Sequence, residues 1–232
     1  VPWGAMLFSF IFFKVTKNKF FLFASSVICF FCLVLADFAP VILDSSIQPL
    51  QPVLRSNLWL TVHVLTITLS YGVLFLAFVL ADVALSFYLI NEGKYASLLA
   101  TLRDSIYRAI QVGVVMLGSG IILGGVWADY SWGRFWGWDP KETWALIAFL
   151  GYIAILHGRI AGWIKPFGFV LWTVLSFNLV VMAWYGVNYV LGAGLHSYGF
   201  GGGGVPFVAT LVGIHFAFAA TVWYVRQVRA KA

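Results

Sequence analysis

Six long runs of apolar residues, almost free of charged side chains, constrain the fold of this chain more than any other feature. They lie at about 20–40, 58–90, 106–128, 142–160, 166–191 and 205–226. A helix needs about 20 apolar residues to cross a hydrocarbon layer of about 30 Å, and each run comes close to that length or exceeds it. Overall, 62% of the 232 residues are hydrophobic and 9% are charged, which excludes a soluble domain. The sequence therefore predicts an all-α, polytopic membrane protein.

The opening stretch Val1–Phe13 is also apolar, but it is too short to span a membrane. It has neither a basic start nor a cleavage site of small residues, so it is not typical of a signal peptide. We interpret it as the end of a truncated transmembrane helix. Residues 1–232 are predicted to form a single transmembrane domain, which could be the C-terminal half of a larger fused protein.

The basic residues are distributed unequally between the two sets of predicted loops. The richer set holds Lys14, Lys17, Lys19, Lys94, Arg103, Arg108, Arg159, Lys165, Arg226, Arg229 and Lys231. The poorer set holds only Arg55, Arg134 and Lys141. Because cytoplasmic loops are the richer in lysine and arginine, loops 41–57 and 192–204 and the segment 127–144 are predicted to face outward. The net charge of +6 reflects this bias, and no nucleic-acid partner is expected.

The segment 127–144 is the most informative part of the chain for function. Its residues Trp132, Trp136 and Trp138 are predicted to form a broad apolar shelf, and Gly133 lets other groups approach the backbone. A flat aromatic surface edged by charge suits a large planar ligand with an acidic rim, and haem fits that description best. Asp139, Pro140 and Glu142 also have the pattern of a helix N-cap, proline and acidic first turn, which predicts a new helix here.

Two histidines approach this shelf from the same side of the membrane. His63 is expected about one turn inside the outer end of its helix, and His196 lies in the outer glycine-rich loop. Two neutral imidazoles facing each other would hold a haem iron in six-coordinate form. The alternative is a pair of polar interfacial histidines in contact with water.

The other two histidines are predicted to lie deeper. His157 is 15 residues beyond Glu142, about 22 Å by helical rise, so it is either a ligand of a second haem or an inner-interface residue beside Arg159. His215 lies near the middle of the last helix, where an interhelical hydrogen bond is the more frequent role. Asp82 is expected near the inner boundary, in contact with solvent.

The three outward basic residues are candidates for binding the propionates of a haem. Arg55, Arg134 and Lys141 remain on the side of the membrane where such residues are scarce, and carboxylates are their natural partners. The alternative is structural pairing with the acidic residues near them in sequence, which are Asp129, Asp139 and Glu142.

At this point a family resemblance becomes specific. The run from Trp132 to Trp144 resembles the tryptophan-rich "WWD" signature of haem-handling membrane proteins. Its continuation from Asp139 to Leu146 is similar to the CcsA/ResC family of System II cytochrome c biogenesis. Further matches cover most of residues 55–200 and include Trp59-Leu-x-x-His63, Ser70-Tyr71-Gly72, Leu156-His157 and Gly194-Leu195-His196-Ser197-Tyr198.

The resemblance implies a cofactor and specific ligands. His63 and His196 would be the axial ligands of an outer haem b, presented on the WWD segment. His157 would be one ligand of an inner haem, whose other ligand comes from a CcsB/ResB-type subunit or fused domain. His215 matches no ligand of the family.

The resemblance also implies a reaction, a partner and a location. The chain would be a holocytochrome c synthase that carries haem outward and attaches it by thioether bonds to the Cys-x-x-Cys-His motif of apocytochrome c. The alternative is a haem exporter or carrier that delivers haem to a separate ligase. The expected location is a bacterial inner membrane or a thylakoid-type membrane, with the WWD segment on the periplasmic or outer side.

The outer loop Gly192–Gly204 contains seven glycines in thirteen residues, which leaves its backbone many conformations. We interpret this mobility as a means for His196 to leave the iron when the histidine of the apocytochrome arrives. His63, on a helix, would be the less easily displaced ligand. The alternative is an ordinary flexible loop.

Overall fold

The fold is entirely helical in the residues that the computed structural model describes, which are 1–38, 57–196 and 204–230. The α-helices are α1 (Pro2–Thr16), α2 (Phe20–Phe38), α3 (Asn57–Trp59), α4 (Leu65–Asn91), α5 (Ala96–Trp132), α6 (Pro140–Ile160), α7 (Pro166–Val181) and α8 (Val205–Arg229). A π-helical turn, Leu60–Val64, joins α3 to α4, and a longer π-helical segment, Met182–Leu191, continues α7. The predicted all-α class is confirmed.

Five of the described helical stretches are long and apolar enough to cross a membrane. They are Thr61–Asn91, Ala96–Trp132, Pro140–Ile160, Pro166–Leu191 and Val205–Arg229. The predicted first span corresponds to α2, whose apolar part Phe20–Ala36 is shorter than these five. The predicted third span, about 106–128, lies inside α5, which begins ten residues earlier, at Ala96. The extra turns carry Arg103 and Asp104 ahead of the apolar run.

Helices α4 and α5 form the centre of the bundle and approach each other closely. A β-carbon at Gly113 would lie 2.6 Å from Cδ2 of Leu74, and one at Gly120 would lie 2.6 Å from Cδ1 of Ile67. Small residues at these positions let the two backbones approach, as is common between membrane helices. This contact sets the position of α5 against the start of α4 and against the preceding π-helical turn, in which His63 lies.

The N-terminal pair α1 and α2 packs on one side of α4. Ser9 donates a hydrogen bond to Ser25 at 2.9 Å, and the rings of Phe12 and Phe21 stack at 4.8 Å. Lys17, with a φ of 57°, ends α1 in the left-handed conformation. The opening stretch is therefore helical, as expected, and extends three residues beyond the predicted end at Phe13.

Ion pairs hold the helices together at the end that carries most of the basic residues. Arg159 lies 3.2 Å from Asp104, and its guanidinium lies 4.2 Å from the ring centre of Tyr107. Arg226 lies 2.9 Å from Glu92. We call this the inner end of the bundle and the opposite one the outer end, after the orientation that the charge distribution predicts.

One further polar pair lies between these two ends. Nε2 of His215 on α8 is 3.1 Å from Oδ2 of Asp82 on α4. The interhelical role predicted for His215 is confirmed, but the solvent-facing position predicted for Asp82 was wrong. Asp82 is ten residues before Glu92, which is about 15 Å by helical rise and about half of a hydrocarbon core. The imidazole of His215 is the hydrogen-bond partner of this partly exposed side chain.

Candidate functional site

The start of α6 is built on a reciprocal cap. Asp139, the N-cap residue, accepts a hydrogen bond from the backbone N–H of Lys141 at 3.1 Å. The carboxylate of Glu142 accepts from the N–H groups of Asp139 and Gly137, at 3.1 and 2.9 Å. This arrangement satisfies N–H groups that the first turn of a helix leaves without partners. The capping role predicted for Asp139 and Glu142 is confirmed.

The same aspartate also fixes the orientation of His196. Nδ1 of His196 lies 2.8 Å from Oδ2 of Asp139, and the backbone N–H of Leu195 donates to Oδ1 at 2.5 Å. Gly194 precedes them with a φ of +95°, and a β-carbon there would collide with Oδ1 of Asp139. A carboxylate only accepts hydrogen bonds, so Nδ1 carries the proton and the lone pair of Nε2 remains available.

Burial favours the neutral form of His196. It lowers the pKa of this imidazole below the ordinary value of 6.5, while the hydrogen bond that Nδ1 donates to Asp139 acts in the opposite direction. The ring therefore stays uncharged at neutral pH. Neutral imidazole with one nitrogen held by a carboxylate is the usual form of a histidine that binds a metal.

His63 has a similar arrangement on a different element. It lies in the π-helical turn Leu60–Val64, and its Nδ1 is 3.0 Å from the carbonyl oxygen of Gly120 on α5. A carbonyl only accepts, so Nδ1 of His63 carries a proton, and the neutral ring then has its lone pair on Nε2. Gly124, one turn along α5, leaves room for the ring, since a β-carbon there would lie 2.7 Å from Cε1 of His63.

Trp127 joins the two histidines, although it was not among the predicted ligand-binding residues. Its ring stacks on His63 at 5.9 Å with an interplanar angle of 14°, and its centre lies 5.7 Å from that of His196. A periodic signal was present, because Gly120, Gly124 and Trp127 recur at helical spacing along one face of α5. His63 and His196 thus meet at one site, as the sequence predicted.

Both histidines line one cavity at the outer end of the bundle. Its volume is about 260 Å³, and its other lining residues include Trp59, Trp127, Trp136, Lys141, Glu142 and Trp184. Sites for small molecules have volumes of about 300–1,000 Å³ and a mostly apolar lining with a few polar groups. The cavity has the lining of such a site, but its volume is slightly below this range, so its side chains must move apart to admit a full macrocycle.

The tryptophans do not form the single flat shelf that the sequence predicted. Trp136 lines the cavity, whereas Trp132 meets the edge of His196 at 4.9 Å and 87°. Trp138 is 69% exposed and stands at 88° to Trp136. A φ of 57° at Trp138 turns the chain here. The rings therefore surround the site in different planes.

Gly133 lies at the turn between α5 and α6. It ends α5 in the left-handed conformation, with a φ of 70°, and a β-carbon there would meet nothing within 4 Å. Its described role is to reverse the chain between α5 and the cap of α6. The prediction that it lets a ligand approach the backbone stays a prediction.

The outward basic residues differ in their partners. Arg134 forms an ion pair with Glu142 at 2.9 Å, which is the structural alternative considered for it. Lys141 lines the cavity, and its Nζ donates to the carbonyl oxygen of Trp184 at 3.3 Å and to Oδ1 of Asn188 at 3.2 Å. Both of these acceptors are neutral, so the charge of Lys141 is suited to an acidic group in the cavity. Arg55 lies outside the described residues.

Comparison with known proteins identifies the family. A family model described as cytochrome C assembly protein matches residues 1–196. The chain belongs to this family of cytochrome c assembly proteins. Its relatives include the cytochrome c biogenesis protein CcsA of Guillardia theta, which is 36% identical over 225 residues. That alignment covers 86% of this chain and 73% of the relative.

Two other relatives are covered less completely. The CcsA protein of Chlamydomonas reinhardtii is 40% identical over 159 residues, which are 66% of this chain and 44% of that protein. Protein NrfI of Wolinella succinogenes is 37% identical over 209 residues, which are 85% of this chain but only 22% of NrfI. The region shared with this cytochrome c assembly protein is therefore a minor part of NrfI.

The remaining predicted ligand, His157, lies away from the cavity. It is three residues from the inner end of α6, and its side chain is exposed on the surface of the described bundle. Its Nδ1 is 2.8 Å from the carbonyl oxygen of Ile153, which only accepts, so Nδ1 carries a proton. Two levels of the cytochrome c assembly protein thus carry histidines whose Nδ1 is held by an oxygen acceptor and whose Nε2 makes no hydrogen bond in the described residues, while both nitrogens of His215 are engaged.

Proposed function

We propose that this chain binds haem b in the outer cavity, with the iron between His63 and His196. One observation supports this above the others. Two histidines from separate elements meet at one aromatic cavity, each with Nδ1 held and Nε2 available. Histidine pairs of this kind give six-coordinate haem. Lys141 is the described cation best placed for a propionate, because Arg134 is already paired.

The proposed reaction is the attachment of haem to an apocytochrome c with a Cys-x-x-Cys-His motif, as in a holocytochrome c synthase. Each thiol sulfur forms a bond to one carbon of a vinyl group, and the thiol proton goes to the other carbon. The vinyl double bond becomes a single bond, so the addition itself needs no oxidant or reductant. The contribution of this chain is to hold the haem in a fixed position, which can supply several kcal/mol of the barrier.

The inner histidine fits the same proposal. His157 is exposed at the inner end of α6, and the second ligand of an inner haem would come from a CcsB/ResB-type partner. Haem would then move outward to the cavity at the WWD segment, on the periplasmic or outer side. The exposure of His157 supports this, because a ligand shared with another subunit must be reachable from outside the described bundle.

The test is to co-express the chain with a CcsB/ResB-type partner and an apocytochrome, and to measure covalent haem on the cytochrome after denaturation. We expect a covalent product with the unaltered chain and loss of it with His63→Ala or His196→Ala. The outer haem should be lost from these variants or become five-coordinate. Thr210→Val, at an exposed position of α8, is the control and should match the unaltered chain.

Two results would contradict the proposal in different ways. Normal haem content and an unchanged spectrum in both histidine variants would show that the axial pair is wrong. Haem bound to the chain without any covalent product, in the presence of a functional partner, would instead favour a carrier that delivers haem to a separate ligase.

A further inference from the structure

Lys141 reaches the cavity from the first turn of α6, but the groups that hold its ammonium belong to another element. Nζ donates to the carbonyl oxygen of Trp184 at 3.3 Å and to Oδ1 of Asn188 at 3.2 Å. Both acceptors lie in the π-helical segment Met182–Leu191. We propose that Asn188 is a positioning residue that holds the ammonium of Lys141 at the cavity and thereby makes the site selective for porphyrins with free propionates. This rests on the proposed haem function.

The three groups form a closed set of hydrogen bonds. Nδ2 of Asn188 donates to the carbonyl oxygen of Trp184 at 3.2 Å, and Oδ1 of the same amide accepts from Lys141. One side-chain amide thus bridges Lys141 and the carbonyl that also accepts from it. An amide offers both a donor and an acceptor, whereas a carboxylate only accepts. Neither an apolar side chain nor an aspartate at position 188 can therefore make both contacts.

The ammonium of Lys141 keeps one donor for a ligand. It has three N–H groups, and the two neutral acceptors use two of them. The carboxylates beside it in sequence are engaged elsewhere in the described structure. Glu142 forms an ion pair with Arg134 at 2.9 Å, and Asp139 lies 2.8 Å from His196. A cation at a mostly apolar cavity is unfavourable without an anion, so a ligand carboxylate is the group that completes this site.

The backbone that carries the two acceptors is unusual. π-Helical geometry, with hydrogen bonds between residues five apart, occurs mostly as single turns and often at functional sites. Here it extends over ten residues, Met182–Leu191. Trp184 also lines the cavity, so this segment forms part of the cavity wall and holds the lysine at that wall.

The same stretch of chain also fixes the cation relative to a candidate iron ligand. Five residues after the segment ends at Leu191, Nδ1 of His196 lies 2.8 Å from Asp139, which is two residues before Lys141. The start of α6 is thus bonded to one continuous, described stretch at two places. The propionates of a haem extend from one edge of a rigid ring that holds the iron at its centre. A cation held at a set place relative to the iron ligand therefore favours ligands that carry those propionates.

The test measures the binding of four porphyrins to the full chain in lipid nanodiscs. They are haem b, its dimethyl ester, metal-free protoporphyrin IX and the dimethyl ester of that compound. Esterification removes the two carboxylate charges and leaves the ring unchanged. The measured quantity is the dissociation constant of each ester divided by that of its free acid. Comparing this ratio between variants isolates the contribution of the propionates, because the different solubilities of acid and ester affect every variant alike.

Four variants separate the position of the lysine from its charge. They are Asn188→Leu, Asn188→Asp, Lys141→Met and the double variant of Asn188→Leu with Lys141→Met. Leucine lacks both polar atoms of asparagine, whereas aspartate still accepts from Lys141 but neutralises its charge. Asn178→Leu is the matched control, because Nδ2 of Asn178 donates to the carbonyl oxygen of Leu175 on the same continuous helix and Asn178 does not line the cavity.

We expect the unaltered chain and the control to bind the free acids about tenfold more tightly than the esters, as a hydrogen bond to a charged group can provide. This preference should disappear in all four variants, while their affinity for the esters changes little. Asn188→Leu should have no further effect on the preference when Lys141→Met is already present, because Asn188 acts through Lys141.

A preference for the free acids that survives in both Asn188→Leu and Asn188→Asp would overturn the proposal. So would an equal loss of affinity for acids and esters in both variants, because Asn188 would then only maintain the shape of the cavity. Failure of the proposed haem function would appear differently, as equal binding of iron and metal-free porphyrins with no six-coordinate spectrum. The preference for the free acids would still report on Asn188 and Lys141, and its absence from the unaltered chain would overturn the inference.

Discussion

Asp139 serves three neighbours with one buried carboxylate. It accepts from the backbone of Lys141 and Leu195 and from Nδ1 of His196, and its side chain is only 3% exposed. The residue that begins α6 is therefore also the residue that orients a candidate ligand from a distant loop. Most replacements of Asp139 would therefore change both the capping of α6 and the orientation of His196. The two roles separate only if the new side chain still caps the helix.

Asp139→Asn separates these two roles. Asparagine is as good an N-cap as aspartate, but it loses the charge that holds the Nδ1 proton of His196. We expect the helix to remain and the affinity for haem at the outer site to fall about 10- to 100-fold, as with other partners of metal-binding histidines. A haem titration followed by absorption spectroscopy measures this. Thr143→Val, which removes a hydroxyl on the exposed side, is the control, and an unchanged affinity of Asp139→Asn would contradict the orienting role.

Trp136 and Trp138 are expected to differ in importance. Trp136 lines the cavity, whereas Trp138 is largely exposed, so only the first loses contact with a macrocycle when it is replaced. Trp136→Leu should lower the retention of outer haem roughly fivefold to tenfold, since an aromatic contact contributes about 1 kcal/mol beyond its buried area. Trp138→Leu should have little effect, like the control Trp163→Leu at the inner end. Equal loss of haem in Trp136→Leu and Trp138→Leu would show that Trp138 also contacts the haem.

At the level of elements, a π-helical turn and a row of glycines place His63. The turn Leu60–Val64 precedes α4, and such irregular turns occur often at functional sites. Gly120 offers its carbonyl to His63, and Gly124 leaves space for the ring. The position of His63 is thus set as much by α5 as by its own helix.

Gly124→Ala tests this dependence. Its new β-carbon would lie 2.7 Å from Cε1 of His63, so the imidazole must move and its bond to Gly120 must weaken. We expect the outer haem to lose most of its six-coordinate character while the protein still inserts into the membrane. Gly213→Ala is the control, because a β-carbon there would meet nothing within 4 Å. An unaltered spectrum in Gly124→Ala would show that the ring position is not set by α5.

The sequence predicted the helices that have apolar runs or a capping pattern better than it predicted the polar helix ends. Long apolar runs and the Asp139-Pro140 cap predicted the helices and the start of α6, because hydrophobicity and capping are local. The start of α5 at Ala96 was missed because its first turns are polar and stabilised by contacts such as that of Asp104 with Arg159. Such tertiary contacts leave no local pattern.

The candidate site shows the same division. His63 and His196 could be predicted from their level in the membrane, and the resemblance to a known family supported the choice. The bond of His196 to Asp139 and the stacking of Trp127 on His63 join residues 57 and 64 positions apart, and nothing in the sequence pairs them. The loop beyond His196, where glycine-based mobility was predicted, lies outside the described residues, so that prediction stays a prediction.

At the scale of the whole molecule, the candidate haem ligands occupy two levels of one bundle. His63 and His196 meet at the outer cavity, and His157 lies near the inner end of α6. The helical rise from Glu142 to His157 is about 22 Å, so no single haem iron can bind all three. A chain with this arrangement needs either a second ligand at the inner level or a different role for His157.

His157→Ala distinguishes these possibilities. We expect total haem on the protein purified from cells to fall, because the inner level is no longer filled. Haem added directly to the purified variant should still give the six-coordinate spectrum of the outer site, which does not involve His157. The control is Leu150→Ala, at an exposed position on the same helix. Full haem content in cells would show that His157 is an inner-interface residue only.

The length of α5 determines how deep the cavity lies in the bilayer. From Arg108 to Trp132 the helix rises about 36 Å, which exceeds a hydrocarbon core of about 30 Å. With Arg108 at one boundary, Trp132 stands among the lipid headgroups on the far side. The rim of the site at Trp132, which meets His196, therefore lies at the headgroup level, and the cavity lining at Gly124 is about 12 Å deeper by helical rise.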